Sequence, residues 1–311
     1  MGIDLHKLTG HLLMGTIRVL GLIPRDLGLG IGQALGRLLF AFDKKHRAIA
    51  IDNIRRAFGT ELRSSEVISI ARQVFRNLGC MVFEIAWSFG LDPGSFDKYF
   101  KMQGQENFYK AMEKGKGVLL LTAHMGNWEL FTIIAHMVKI PAHVVYRPLD
   151  SEPLDEAVKQ LRCRFGAKLI PTTNRRAIVK VLNTLKGNEC VAMLMDQNVD
   201  YYNGVFVDFF GRRACTNKGM AILALRTGAP VVPVFMVRDK AGFRAEALPE
   251  IPLTRTGDKQ KDIECNTAKY NQAIEAFVRR YPDQWFWVHQ RWKTRPYSTW
   301  PDASKWGRQR P

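Results

Sequence analysis

A histidine and a carboxylate stand five positions apart in Ala123-His124-Met125-Gly126-Asn127-Trp128-Glu129. The preceding run, Val118-Leu119-Leu120-Leu121-Thr122-Ala123, reads as a strand buried on both faces. A helix is expected from about Trp128 to Lys139. His124 then sits at the carboxyl end of a strand, with Glu129 one turn into the next helix, and Gly126 allows the tight reversal between them. A carboxylate reaching across that corner would orient the imidazole and stabilise the imidazolium as the ring takes a proton. There is no nucleophilic serine in the arrangement, so the attacking group must come from a substrate. The plainer reading is a histidine bonding backbone at a strand end, with Glu129 a solvated acid favoured by the helix dipole.

Other chemistries lack their parts. The chain contains no H-E-x-x-H, no G-x-S-x-G elbow and no G-x-x-x-x-G-K-[ST] loop. His6, His11, His46, His136, His143 and His289 form no metal-ligand spacing, so no metal is expected. The five cysteines are scattered without C-x-x-C spacing, which argues against a zinc ribbon or a disulfide scaffold and fits a reducing compartment.

The chain has 311 residues, 46% of them hydrophobic, long enough for one large domain with a substantial core. Lys and Arg number 46 against 29 Asp and Glu. Such a surplus points to a polyanionic partner: nucleic acid, an anionic membrane surface or a phosphorylated substrate. The most apolar long stretch, Leu12 to Phe42, is interrupted by Arg18, Arg25, Asp26 and Arg37 and split at Pro24. Neither half supplies the ~20 apolar residues of a spanning helix. Gly28, Gly32 and Gly36 would give the second half a smooth face for close packing. Basic residues beside apolar faces suit a helix lying in the interface of an anionic bilayer; a helical hairpin packed on the domain's own core is the alternative.

Helical periodicity runs from Ser64 or Ser65 to about Gly90. Downstream, helices are expected at 154–165, 175–186, 218–227 and 262–281. Strands are expected at 143–146, 168–170, 191–195 and 231–237, with 243–248 read as the hairpin partner of the last. Strands alternating with helices give an α/β fold: a mostly parallel central sheet flanked by helices, with an N-terminal helical membrane-associating segment. The chain divides into an interfacial segment at 1–60, a catalytic domain at 61–296 and a basic, Trp-containing tail at 297–311. In such a sheet the active site lies outside the carboxyl ends of the strands.

His124-Met125-Gly126-Asn127-Trp128-Glu129 resembles the H-x(4)-[DE] motif of glycerolipid acyltransferases, in the form found in bacterial lipid A biosynthesis (lauroyl/myristoyl) acyltransferases. Val145-Tyr146-Arg147-Pro148, Asp196-Gln197, 204–211, 226–233 and the segment 284–296 resemble that family in order and spacing, over roughly residues 10–296. Position 290 departs from it, with Gln290 where the family more often has arginine. The resemblance implies an O-acyltransferase that moves a fatty acyl chain from a thioester to a hydroxyl of a phosphorylated glycolipid, a lipid A precursor above all. No cofactor is implied; the acyl carrier protein or coenzyme A thioester is a co-substrate. His124 would be the general base, with Glu129 orienting it. Asn127 is a candidate oxyanion donor. Arg147, Arg162 and Arg164 could hold acceptor phosphates, and Asp196 and Gln197 project toward the site rim.

The implied place of work is the cytoplasmic face of the inner membrane, with anionic lipid and acyl carrier protein as partners. Another acceptor, such as a lysophospholipid, an ornithine lipid or a mannosylated inositol lipid, would use the same chemistry. A noncatalytic nucleic-acid-binding protein is the reading from another class; no helix-turn-helix, RNP or zinc-finger signature supports it, so no nucleic-acid partner is expected. Tryptophans at 285, 287, 292, 300 and 306 lie among basic residues, a mixture suited to the headgroup zone. Trp285 and Trp287, two positions apart, read as core residues of a strand or turn.

Overall fold

Pro24 has no N–H to give, so it ends one helix and opens the next at the position expected. In the computed structural model, which describes residues 5–174, 176–239 and 241–296, the flanking helices are α1 (Leu5–Gly21) and α2 (Arg25–Phe42). Next come α3 (Lys44–Phe58) and the long α4 (Ser64–Ser88). The tail expected at 297–311, with Trp300 and Trp306, lies outside the described residues.

Glycine decides how α2 meets α4. Gly28, Gly32 and Gly36 are buried on one face of α2, and Gly79 of α4 lies against them. A Cβ built on Gly79 would stand 2.0 Å from the Gly32 carbonyl oxygen. The two backbones touch with no room for a methyl. Gly79→Ala is therefore expected to destabilise the protein by roughly 1–3 kcal/mol through overpacking, read as a lowered urea midpoint with α2 opened to proteolysis. The outer face of α2 carries Leu27, Ile31, Leu35, Leu38, Leu39 and Phe42, all exposed, and Leu12, Val19 and Leu22 extend this apolar surface along α1. Among the described residues, no helix is long and apolar enough to cross a membrane.

A short helix α5 (Phe96–Tyr99), strand β1 (Phe100–Gln103) and α6 (Gln105–Met112) lead into the alternating region. That region comprises β2 (Val118–Thr122), α7 (Phe131–Met137), β3 (Ala142–Tyr146), α8 (Glu152–Arg164), β4 (Lys168–Pro171), α9 (Ala177–Lys186) and β5 (Cys190–Leu194). The hairpin β6 (Gly204–Phe209) and β7 (Arg212–Asn217) stands apart from the main sheet. Then follow α10 (Gly219–Thr227), β8 (Val231–Arg238), β9 (Phe243–Ala247) and α11 (Lys259–Arg280).

The main sheet has the order β1-β9-β8-β2-β5-β3-β4. Strands β8, β2, β5, β3 and β4 run parallel, and β9 returns antiparallel to β8 with β1 parallel to β9. The α/β, mostly parallel architecture is the one expected. β2 shows why a continuous apolar run is needed in such a sheet. Its period of two sends Leu119 and Leu121 into one core and Val118 and Leu120 into the other. The 243–248 hairpin forms as read. Two expectations shift: Trp128–Leu130 is a 3-10 turn before α7, and α9 starts at Ala177.

Candidate active site

Neighbouring parallel strands end side by side, so residues just past them converge. Arg238 closes β8, His124 follows β2, Asp196 follows β5 and Arg147 follows β3, in that spatial order. His124 is brought to the edge by a sharp corner at Gly126, whose φ is +58° and whose Cβ would stand 2.8 Å from the Met236 carbonyl. Only glycine meets both conditions at low cost.

The carboxylate on the imidazole is Asp196, not Glu129. His124 Nδ1 lies 2.8 Å from Asp196 Oδ1, and the His124 backbone N–H donates to Asp196 Oδ2 at 2.9 Å. Trp285 Nε1 donates to the same Oδ2 at 2.7 Å. Asp196 is buried, which opposes its ionisation, yet the His124 charge, the two bonds from His124 and the indole N–H together hold its carboxyl below the usual aspartate value. A buried anion fixed at Nδ1 favours the tautomer that leaves Nε2 with a free lone pair, able in chemical terms to accept a proton. The side chain of His124 keeps 19% of its surface open. Gln197 comes within 3.4 Å of Nε2, while the rings of Trp128 and Phe286 flank the imidazole.

Glu129 has different work. Its two oxygens accept from Arg162 Nε and Nη2, each at 2.8 Å, and Oε1 also accepts from Trp128 Nε1 at 3.0 Å. This two-point fork fixes Glu129 where the sequence reading had placed an orienting group for His124. Burial works against the Arg162 charge, but the facing carboxylate outweighs it and raises the guanidinium's pKa. The fork forms one wall of a small cavity of about 30 Å³ that Trp128, the two threonines Thr122 and Thr132, and apolar residues of β3 and β5 also line. Asn127 also departs from expectation. It is fully buried, and its amide donates to Glu84 Oε2 at 3.0 Å and to the Met81 carbonyl at 3.3 Å, away from any cleft. Glu84 in turn receives Arg238 through Nε and Nη2, at 2.5 and 2.6 Å. Asn127 thus ties the His124 corner to α4. Arg147 is exposed, bonded to Asp150 at 3.2 Å. Arg164 lines a groove that Arg162 does not share.

These contacts were out of reach of local spacing, but the segment 284–294 carried a signal. Its first residues lie against the corner through a single β-bridge: Gly126 N–H donates to the Gln284 carbonyl at 3.0 Å, Phe286 N–H donates to the His124 carbonyl at 3.1 Å, and Met125 bridges Trp285. Trp285 and Trp287 are core residues, as read. His289 Nε2 accepts from the Asn198 N–H at 2.8 Å, holding the loop that carries Asp196.

The sequence profile described as bacterial lipid A biosynthesis acyltransferase matches residues 5–294. The chain belongs to this family. A lipid A biosynthesis palmitoleoyltransferase of Escherichia coli (strain K12) is 28% identical over 277 residues, covering 88% of this chain and 87% of that protein. A lipid A biosynthesis lauroyltransferase of the same organism is 25% identical, covering 91% and 90%. A phosphatidylinositol mannoside acyltransferase of Mycolicibacterium smegmatis is 26% identical over 204 residues, 65% of each chain. For this member of the lipid A acyltransferase family, the resemblance read from six short segments holds over nearly the whole length.

Burial lowers the pKa of His289 to about 4. Unfolded, the same ring titrates near 6.5, so between those values the unfolded chain binds the proton that the folded chain refuses. Folding stability should therefore fall as pH drops from about 6.5 to 4, by roughly 1–3 kcal/mol from this ring. Urea unfolding across that range is expected to show a flatter pH slope in His289→Gln than in the native chain.

Proposed function

We propose that the protein transfers a fatty acyl chain from an acyl thioester, carried on acyl carrier protein or coenzyme A, to a hydroxyl of a phosphorylated lipid A precursor. The observation carrying this reading is the imidazole held at Nδ1 by buried Asp196, beside the open strand edge of a chain in this family. In the proposed reaction, His124 Nε2 takes the proton of the acceptor hydroxyl, and the oxygen attacks the thioester carbonyl carbon. The tetrahedral intermediate collapses with cleavage of the C–S bond, and the imidazolium returns its proton to the leaving sulfur. The amide of Gln197 is near enough to bond the reacting oxygen atoms. Glu129 acts at one remove, fixing Trp128 and Arg162. Arg147, exposed just past β3, is the proposed contact for an acceptor phosphate.

The outward leucines of α2 and the exposed apolar residues of α1 support peripheral attachment to the cytoplasmic leaflet of the inner membrane. A mannosylated inositol lipid is the second reading for the acceptor, favoured by the mycobacterial relative, which matches over less of the chain. Lipid mass spectrometry on a host lacking this protein tests the choice. Loss of one acyl group from lipid A is expected. Loss from another glycolipid would move the acceptor, and an unchanged lipid profile would sink the proposal. Purified protein offered both thioesters with the acceptor identifies the donor.

A further inference from the structure

Between the last turn of α1, the end of α4 and the outer side of α8 lies an open groove of about 440 Å³. Met14, Ala86 and Phe89 give it an apolar floor, Leu22 stands at its mouth, and Gln160 with two arginines, Arg18 and Arg164, lines its walls. The close approach of Gly21 to the Ala86 carbonyl, where a Cβ would lie 2.5 Å away, brings α1 down onto α4 and sets the groove's shape. Arg164 stacks its guanidinium over Phe89 and Phe165, with centroids 5.7 and 5.4 Å away. Among the described residues, neither Arg18 nor Arg164 has a carboxylate within salt-bridge distance, and nearby Glu156 faces Lys159 instead. Two uncompensated guanidinium groups over an apolar floor complement a molecule with an anionic head and hydrocarbon tails. The groove opens beside Val19 and Leu22, both exposed, at the edge of the apolar surface of α1 and α2.

We infer that this groove binds an anionic phospholipid of the surrounding bilayer, its phosphate held between Arg18 and Arg164 and its chains lying along α1. The site is separate from the cavity walled by Glu129 and Arg162, which Arg164 does not line. The source of the lipid rests on the membrane attachment proposed above, whereas the chemistry of the groove does not. Occupied, it would fasten α1 to α8 and hold the protein's orientation on the leaflet.

The test uses the full chain and a lipid that stays monomeric, so that no bilayer is involved. Dihexanoylphosphatidylglycerol, kept below its micelle concentration, is expected to bind, with dihexanoylphosphatidylcholine and inorganic phosphate each binding at least about ten-fold more weakly. R18Q/R164Q should weaken the phosphatidylglycerol by about ten-fold or more, with its thermal melt unchanged because both residues are on the surface. K259Q/K261Q removes the same charge from an exposed helix start and should leave binding as it was. Equal binding of the two lipids, equal binding of inorganic phosphate, or equal loss in both double variants would overturn the proposal. Displacement of the probe by a bis-phosphorylated lipid A precursor would give the groove to the acceptor instead. Membrane attachment is read separately, by flotation of L38S/F42S with phosphatidylcholine vesicles. Failure there leaves the groove standing, and failure of the monomeric lipid to bind leaves attachment standing.

Discussion

His124→Ala is expected to abolish acyl transfer, and Asp196→Asn to lower kcat by roughly 10²–10⁴ with little change in KM, since a positioned base contributes about that factor. The geometry makes asparagine a severe test. Three donors converge on the Asp196 carboxylate: the His124 ring, the His124 backbone N–H and the Trp285 indole. One carbonyl oxygen cannot serve all three, and the amide NH₂ must face a donor. Either the ring takes the wrong tautomer or the corner at Gly126 loses its anchor. Glu129→Gln should cost less, about ten-fold, because its bonds reach Arg162 and Trp128 and not the imidazole. Steady-state kinetics of the three variants decide the matter. A near-native D196N with a dead E129Q would return the orienting role to Glu129.

Glu84→Ala is expected to destabilise the fold by roughly 3–5 kcal/mol, the usual penalty for leaving one half of a buried ion pair alone. Glu84 is almost fully buried in α4 and receives both Arg238 and Asn127. Truncating it leaves a guanidinium in an apolar layer and frees the amide that tethers the His124 corner. Activity should fall along with the denaturation midpoint. The double change E84M/R238M removes both charges and should recover much of the stability, as urea titration of the two variants would show. If E84A alone melted like the native protein, the network would carry little of the fold's energy.

The alternating body of the fold was legible because buried parallel strands must be continuously apolar and their covering helices periodic; β2 and α8 are placed within two residues by that rule alone. Strand β1 is four residues long and has no such pattern, so it escapes. The partner of His124 was hidden for another reason. Asp196 is 72 positions away and reaches the ring only because β5 lies beside β2, an adjacency that local spacing does not encode. Glu129, at hydrogen-bonding range along the chain, was the natural choice and is claimed instead by Arg162 from α8. One clue went unused: Glu84 interrupts the apolar run Met81-Val82-Phe83-Glu84-Ile85-Ala86, and a carboxylate in such a place requires a cation.

Residues 284–294 supply the indole on Asp196, the β-bridge to Met125 and the imidazole under Asn198. They follow every strand of both sheets in chain order. A chain cut before residue 285 would keep all the strands and their covering helices yet leave the His124 corner without the indole on Asp196 and the bridge to Met125, so such a truncation is expected to fold in part and to lose whatever activity depends on that histidine's geometry.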